Sequence, residues 1–410
     1  MVNSYDVVVV GCGPGGAVAG RFAALNGATT LIVEQKREIG LPFRDCGGLL
    51  YCISDVEEFA GIKRDLRWVD QVIYEQAFIS PLGKYGGGQY LEDGASVDRR
   101  LFEKHLATEA IRAGAELMLD TRVIGLAKDK EAVRGVIVKS GSKVETIRSL
   151  VVIGADGVSS NVARLAGLPV PRRMVVSGMG YEFIGVRQIQ PRPPSVENCT
   201  PLHISPGISL YVIPRGRDRF GVEFGVLVHD LKGKVSFRDL WGRCKRHLED
   251  TGRYNFSKAY PLSLTAGTTC REVESKSKRL VSDGLILIGD AAWRPLIGSR
   301  YGSSGMTNAI GTGRFAAEVA SQAIKDGDVS EKSLSRYLGK CEGSLKGMGA
   351  KVREADGLYS KVMQLNSDTS EKAVGEIGAL ISAMHFFKRG GLALEGCVEP
   401  VRKWLEREKV

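Results

Sequence analysis

Three observations predict an α/β chain, with a Rossmann-like nucleotide-binding domain, a second β-sheet domain and a helical C-terminus. A short β-branched run at the N-terminus leads straight into a glycine-rich turn and a helix. Two further buried runs, Leu150 to Ile153 and Gly284 to Ile288, each end on an Asp-containing turn. Between them, from Pro169 to about Thr269, short β-like runs recur.

The N-terminal unit is the most specific. Asp6 to Val10 is apolar, β-branched and short enough for a buried strand. Gly11-Cys12-Gly13-Pro14-Gly15-Gly16 follows, then a helix from Ala17 to Asn26 that Gly27 stops. Thr29 to Val33 is a second buried strand, ending on Glu34. This is a βαβ unit with the dinucleotide fingerprint. Gly11 allows the tight turn, Gly13 lets backbone approach a pyrophosphate, and Gly16 lets helix pack on strand. The pyrophosphate is expected at the helix N-terminus, where free N–H groups and the helix dipole favour anions. Glu34 is expected to accept from ribose hydroxyls and to disfavour a 2′-phosphate. The plainer reading is a glycine-rich turn in an ordinary α/β domain. The order strand, glycines, helix, strand, acid speaks against it.

Composition narrows the class. The 410 residues are enough for two or three domains and a sizeable core. Hydrophobic content of 43% and charged content of 25% fit a soluble globular protein. Eight cysteines, none in a CxxC pair, argue against a zinc ribbon or a Cys ladder for an iron–sulfur cluster. The five histidines form no ligand cluster, so no metal is expected. No signal peptide precedes the first strand, which predicts a reducing, cytoplasmic setting. No apolar run reaches the roughly 18 residues of a membrane span. A net charge of +10 without a nucleic-acid motif points to anionic lipid or phosphorylated substrates, not nucleic acid.

Along the chain, Ile39 to Gly48 is too rich in Gly and Pro for a helix and is expected to be a loop. Trp68 to Tyr90 is β-like. A helix opens at Ser96 or Asp98 and runs to about Ala113, where Gly114 ends it. Glu116 to Ile124 and Val133 to Val138 alternate like strands of a small sheet. The strand Leu150 to Ile153 runs into Gly154-Ala155-Asp156-Gly157, and a helix follows at Asn161 to Leu165. Prolines at 191, 193 and 194 mark the second domain, whose strands include Ile208 to Ile213 and Phe220 to Val228. Gly289-Asp290-Ala291-Ala292 follows the last buried strand, and a helix covers Met306 to Ile324. The remainder is expected to be mostly helical. The expected division gives residues 1–68, 96–168 and 280–330 to the nucleotide-binding domain. Residues 69–95 and 169–279 form the substrate domain, and 331–410 the C-terminal region.

Three separated elements thus fit one ligand: the fingerprint, Asp156-Gly157, and Gly289-Asp290-Ala291-Ala292. An Asp past a strand end accepts from a ribose or ribitol hydroxyl at the carboxyl edge of the sheet. One such Asp alone is more simply a cap or turn residue. The triple pattern resembles the FAD-dependent flavoproteins of the glutathione-reductase superfamily, in their aromatic-hydroxylase-like branch. Val97-Asp98-Arg99 with Phe102 is similar to that branch's helix opening, whose Arg approaches FAD. Gly305-Met306, with Ala309, Gly313, Arg314 and Ala316-Ala317, resembles the helix whose first N–H groups face the flavin. The resemblance spans about residues 5–325.

Within the branch the chain is similar to the geranylgeranyl reductases, including archaeal enzymes that saturate digeranylgeranyl glycerophospholipids. Pro42-Phe43-Arg44-Asp45-Cys46-Gly47-Gly48 resembles their loop, with a Cys followed by Gly beside the isoalloxazine. Ser209 to Pro214 resembles their aromatic-Pro strand, followed by a glycine-containing strand at Gly221 to Gly225. Tyr211 and Ile213 stand where that family usually has Trp and Phe, and Ser303-Ser304-Gly305 where it usually has three glycines.

The resemblance implies FAD held by Gly11, Gly13, Gly15, Gly16, Glu34, Arg44, Cys46, Gly47, Gly48, Arg99, Val123, Asp156, Asp290, Gly305 and Met306. It implies Cys46 as the catalytic residue and Tyr211, Pro214 and Gly221 against substrate. The implied reaction is saturation of isoprenoid double bonds in a prenyl lipid. NAD(P)H, ferredoxin or another reductant would be the electron donor. Cys46 keeps a second reading as a small buried apolar residue. As a thiol it would pass a proton to a substrate carbon or position the alkene. Rival functions on this fold are an O₂-consuming hydroxylase, a quinone oxidoreductase and a non-catalytic prenyl-lipid carrier. The cysteine pattern counts against the second and three intact flavin motifs against the third. An apolar pocket for the lipid is expected between the flavin and the second domain. Ala373 to Phe387, with Lys388-Arg389 beyond, is either a core helix or a peripheral contact with an anionic membrane.

Overall fold

The computed structural model describes residues 4–41, 48–80, 82–168, 175–190, 192–199, 208–227, 236–270, 279–292, 305–345 and 392–409, with single residues at 201, 204 and between 354 and 380. Its first half runs β1 (Ser4–Val10), α1 (Pro14–Leu25), β2 (Thr30–Val33), β3 (Leu49–Leu50), α2 (Ile53–Ala60), β4 (Val69–Ile79), β5 (Tyr85–Val97), α3 (Arg99–Arg112), β6 (Glu116–Met118), β7 (Arg122–Asp129), β8 (Ala132–Ser140), β9 (Lys143–Gly154) and α4 (Asn161–Leu165). The second half runs β10 (Val175–Ile184), β11 (Arg187–Gln188), β12 (Ser195–Cys199), β13 (Ser209–Pro214), β14 (Arg219–Leu227), α5 (Phe237–Asp250), β15 (Tyr254–Asn255), β16 (Tyr260–Cys270), β17 (Val281–Ser282), β18 (Leu285–Leu287), α6 (Gly305–Lys325), α7 (Glu331–Leu334), α8 (Arg336–Leu345) and α9 (Leu392–Arg407).

The first sheet has the order β17-β18-β9-β1-β2-β6, with the β7–β8 hairpin joined to β9. β18, β9, β1, β2 and β6 are parallel. Val7 to Val10 are buried on both faces, as a covered parallel sheet requires. The chain leaves β1 toward β2 on one side and returns through β9 on the other. That reversal opens a crevice at the carboxyl ends of β1 and β9, where open α/β sheets bind ligands.

The small sheet expected from Glu116 to Ile124 and Val133 to Val138 does not form on its own. Glu116–Met118 joins the main sheet beside β2, and Asp120, with φ 49°, turns the chain before β7. β9 is longer than the expected strand at Leu150. Its first half pairs antiparallel with β8 and its second half parallel with β1. With β18 parallel on its other side, one strand carries three partners, which its own residues do not announce.

The second sheet has the order β16-β10-β14-β13-β12-β4-β5-β3 and is antiparallel except for β12–β4. α5 covers one face. Trp241 there lies 5.1 Å from the Tyr181 ring and stacks on Phe183, centring that sheet's own apolar cluster. The helix expected to open at Ser96 or Asp98 is capped by Asp98. Its Oδ1 accepts from the Arg100 and Leu101 N–H groups at 2.9 and 3.2 Å. Ser96 Oγ instead donates to the Pro214 carbonyl at 2.6 Å and ties β5 to the end of β13. Among the described residues no helix is long and apolar enough to cross a membrane.

Candidate active site

Strand ends build the site. Val10, Val33, Ala155 and Ile288, at the carboxyl ends of four adjacent parallel strands, line a cavity of about 1020 Å³. That is at the top of the roughly 300–1,000 Å³ of ordinary small-molecule sites. The opposite wall belongs to the second sheet and its approach: Leu49, Tyr51, Ser177, Tyr211, Ile213, Glu223 and Gly267.

The fingerprint turn meets the cavity through Gly11, Gly13 and Gly15. Gly11 has φ +100°, and a Cβ there would stand 2.5 Å from the Ala155 carbonyl oxygen. A Cβ on Gly16 would stand 1.9 Å from the Gly11 carbonyl oxygen, so Gly16 sets how closely α1 lies against β1. Gly16 does this without lining the cavity. Gly13 is different: its φ of −72° suits any residue, and a Cβ there would meet no protein atom within 4 Å. Its bareness therefore serves whatever occupies the cavity. No side chain caps α1, and Pro14 has no N–H to offer. The next free N–H groups of the first turn are left for an anion. α6 brings a second helix N-terminus to the wall through Gly305 and Met306. This bare, doubly positive cradle fits a dinucleotide pyrophosphate.

Glu34 is buried, and both carboxylate oxygens hold backbone. Oε2 accepts from the Cys12 N–H at 2.7 Å and Oε1 from the Lys36 N–H at 2.9 Å. The carboxylate thus fixes the fingerprint turn itself. Each oxygen retains a lone pair, so acceptor capacity for ribose hydroxyls remains. Cys12 is buried behind the turn. Burial, with the Glu34 and Glu103 carboxylates nearby, pushes its thiol up, so it stays protonated and packs.

Arg99 begins α3 at the cavity wall and pairs with Glu103 one turn later, Nε to Oε1 at 3.1 Å. Glu103 was not singled out in the sequence. Its i, i+4 spacing from an Arg at a helix start was the available signal. Val123 lines the cavity, and its carbonyl accepts from Asn161 Nδ2 at 3.0 Å. Asp290 lines it from the short 3₁₀ turn Gly289–Ala292. Asp156 lines it as well, but its carboxylate serves α4, accepting from Ser160 Oγ at 2.6 Å and from the Asn161 and Val162 N–H groups at 2.7 and 3.0 Å. The simpler cap reading describes that side chain.

Besides Gly16, three expected residues do not line the cavity. Gly48 is absent from the lining. It accepts from the Val97 N–H at 2.6 Å, and a Cβ there would stand 2.3 Å from the Val97 oxygen. Pro214 is absent because strand alternation turns it away from the face that carries Tyr211 and Ile213. Gly221 is absent because the Arg215 side chain covers it, Nε lying 3.2 Å from where a Cβ would be. Arg44, Cys46 and Gly47 lie outside the described residues. Glu223, directly across from Tyr211 on β14, is the residue that sequence reasoning missed on this wall. Only strand register places it there.

With Asp290 at the wall, Asp290→Ala is expected to weaken FAD binding about tenfold, the loss of one hydrogen bond to a charged group. Fluorescence-quenching titration of the apoprotein measures this, and an unchanged Kd would remove Asp290 from the site.

The sequence profile of the family described as FAD dependent oxidoreductase matches residues 36–319. The digeranylgeranylglycerophospholipid reductase of Methanocaldococcus jannaschii is 35% identical over 342 residues, 81% of each chain. That of Methanocella arvoryzae is 31% identical over 364 residues, 87% of this chain and 85% of the relative. A crystal structure of a geranylgeranyl bacteriochlorophyll reductase-like protein from Thermoplasma acidophilum superposes with a TM-score of 0.82 at 26% identity, covering 99% of this chain and 100% of that one. The flavin-dependent brominase Bmp2, in a triple-mutant form, shares the fold with a TM-score of 0.72 at 18% identity, covering 98% and 100%.

Proposed function

The chain belongs to the digeranylgeranylglycerophospholipid reductases, a family of FAD-dependent oxidoreductases, and from that membership we propose that it saturates isoprenoid double bonds of a prenyl lipid by hydride transfer from reduced flavin. One observation carries this beyond family membership. A single cavity has the pyrophosphate cradle on one wall and the aromatic and apolar groups Tyr51, Tyr211 and Ile213 on the other. Such a cavity would bring a redox ring and an apolar chain together.

Bound FAD supplies the hydride chemistry, and the chain supplies position, a dry environment and the proton. Gly11, Gly13, Gly15, Gly305 and Met306 would hold the cofactor through backbone, with Glu34, Arg99 and Asp290 as polar anchors. An isolated alkene is a poor hydride acceptor, so alignment and exclusion of water carry much of the barrier reduction. Leu49, Tyr51 and Ile213 serve that exclusion.

Cys46 is the proposed proton source for the second alkene carbon. The support is the family resemblance, together with the cavity positions of Gly40 before it in the chain and Leu49 after it. Cys46→Ser is expected to bind FAD as the parent does and to slow single-turnover lipid reduction about a hundredfold, within the range for a lost general acid. Parental rates would make Cys46 a packing residue. NAD(P)H or a reduced ferredoxin is the proposed source of electrons. A peripheral contact with anionic membrane is proposed for the supply of lipid. The apolar segment 373–387, read in the sequence as either a core helix or such a contact, lies largely outside the described residues.

A further inference from the structure

β16 is an edge. Among the described residues it pairs only with β10, so its outer backbone is open. Three large apolar side chains on it face solvent: Tyr260 is 70% exposed, Leu262 53% and Leu264 55%. Ile184, the register partner of Tyr260 on β10, is 40% exposed beside them. An exposed apolar edge of this length invites aggregation unless it has a use. The same strand continues into the cavity wall. Ala266 and Thr268 line the cavity and are themselves solvent-exposed, so the cavity opens at this edge. The Thr268 and Ser177 hydroxyls, cross-strand neighbours on β16 and β10, pair at 3.0 Å beside that opening.

We propose that the β16 edge is the surface by which the protein rests on an anionic lipid bilayer, and that the prenyl chain enters the cavity laterally past Ala266 and Thr268. The proposal rests on the prenyl-lipid reading above and names the surface that reading lacks. Two observations select a bilayer as the occupant. The strand that carries these side chains runs on to the mouth of the cavity, with Leu264 on the face of Ala266 and Thr268 and Tyr260, beyond the register shift at Glu182/Phe183, on the other face. Its far end is basic: Arg187, Arg217 and Lys258 are exposed there, with Asp218 as the exposed counter-charge. Gly185 brings these together, its N–H donating to the Asp218 carbonyl at 3.2 Å and its Cα packing on the Lys258 carbonyl. A Tyr and two Leu flanked by cations is the composition that seats in an interface of anionic headgroups.

The test is flotation of the FAD-loaded protein with vesicles of phosphatidylglycerol and phosphatidylcholine. The parent is expected to float at low salt and less so as salt rises. Leu262→Ser/Leu264→Ser should lower vesicle binding roughly tenfold or more, from the two half-inserted side chains. Both positions are surface, so flavin occupancy and the thermal midpoint should match the parent. The double variant should keep its rate with a monomeric prenyl diphosphate and lose rate with the same chain presented in vesicles. A parent that stays unbound, or a double variant that floats equally well, overturns the proposal. So does a parent that is dimeric by light scattering, ignores vesicles and becomes monomeric in the double variant, since the edge would then join two copies. Failure to reduce either substrate would instead overturn the reductase reading, and flotation would still decide the surface.

Discussion

Gly13→Ala is expected to leave the apoprotein as stable as the parent and to weaken FAD binding about a hundredfold. Gly13 adopts a φ of −72°, and a methyl group there would meet no protein atom within 4 Å. The fold therefore has no use for a glycine at this position. A cofactor whose phosphates lie on the bare turn does. Displacing it from one or two charge-assisted hydrogen bonds costs about 3 kcal/mol, which is the hundredfold. Gly16→Ala is the control with the opposite signature. Its methyl would stand 1.9 Å from the Gly11 carbonyl oxygen, so α1 must move off β1 with or without cofactor. Overpacking of this kind costs about 3 kcal/mol. Thermal unfolding of both apoproteins, with FAD titration of each, separates the two. Destabilised Gly13→Ala apoprotein, or parental FAD affinity in it, would contradict the cradle.

Arg215→Met is expected to destabilise the fold by about 3 kcal/mol at neutral pH, as breaking a buried ionic cluster does. Arg215 is buried where the second sheet meets the start of α3. Nη1 donates to the Val97 carbonyl at 3.0 Å and lies 3.5 Å from Asp70, while Nη2 lies 3.6 Å from Glu223. Met fills the space but removes this guanidinium from beside both carboxylates, with Arg219 still 3.0 Å from Asp70. Burial already raises the Asp70 carboxyl, with Arg215 and Arg219 holding it down. The folded protein therefore keeps that proton to higher pH than the unfolded chain. Its contribution to stability falls as pH rises from the unfolded value of about 3.9 through the folded one. Removing Arg215 widens that interval. The variant's deficit should be smallest near the unfolded Asp value and grow toward neutral pH. Urea unfolding across this range tests the sign, and a deficit independent of pH would mean that Arg215 acts through packing alone.

These two experiments bear on what the sequence could and could not convey. β1, α1, β2, α4, β18 and α6 were legible because their signals are local: β-branched runs buried on both faces, a glycine turn, a helix start. The cradle was legible for the same reason, since it lies within one βαβ unit. β3 and α2 were not, because two residues make no pattern and α2 follows Cys52, whose side chain does not cap it. The split of Glu116 to Ile124 and the three pairings of β9 depend on partners elsewhere in the chain. Pro214 and Gly221 missed the cavity because strand face and the reach of Arg215 decided their neighbours. Glu223 entered it through cross-strand register with Tyr211. Asp156 showed how one residue type serves a cap as readily as a ligand.

The most direct test of the account is an anaerobic single turnover. FAD-loaded protein is reduced, oxygen is excluded, and a digeranylgeranyl glycerophospholipid is added. The account predicts that the yellow band of oxidised flavin returns and that the lipid gains the mass of two hydrogens for each double bond consumed. Flavin that stays reduced with unaltered lipid would contradict it. The contradiction would be complete if the same protein, given NAD(P)H in air, consumed O₂ and added an oxygen atom to its substrate.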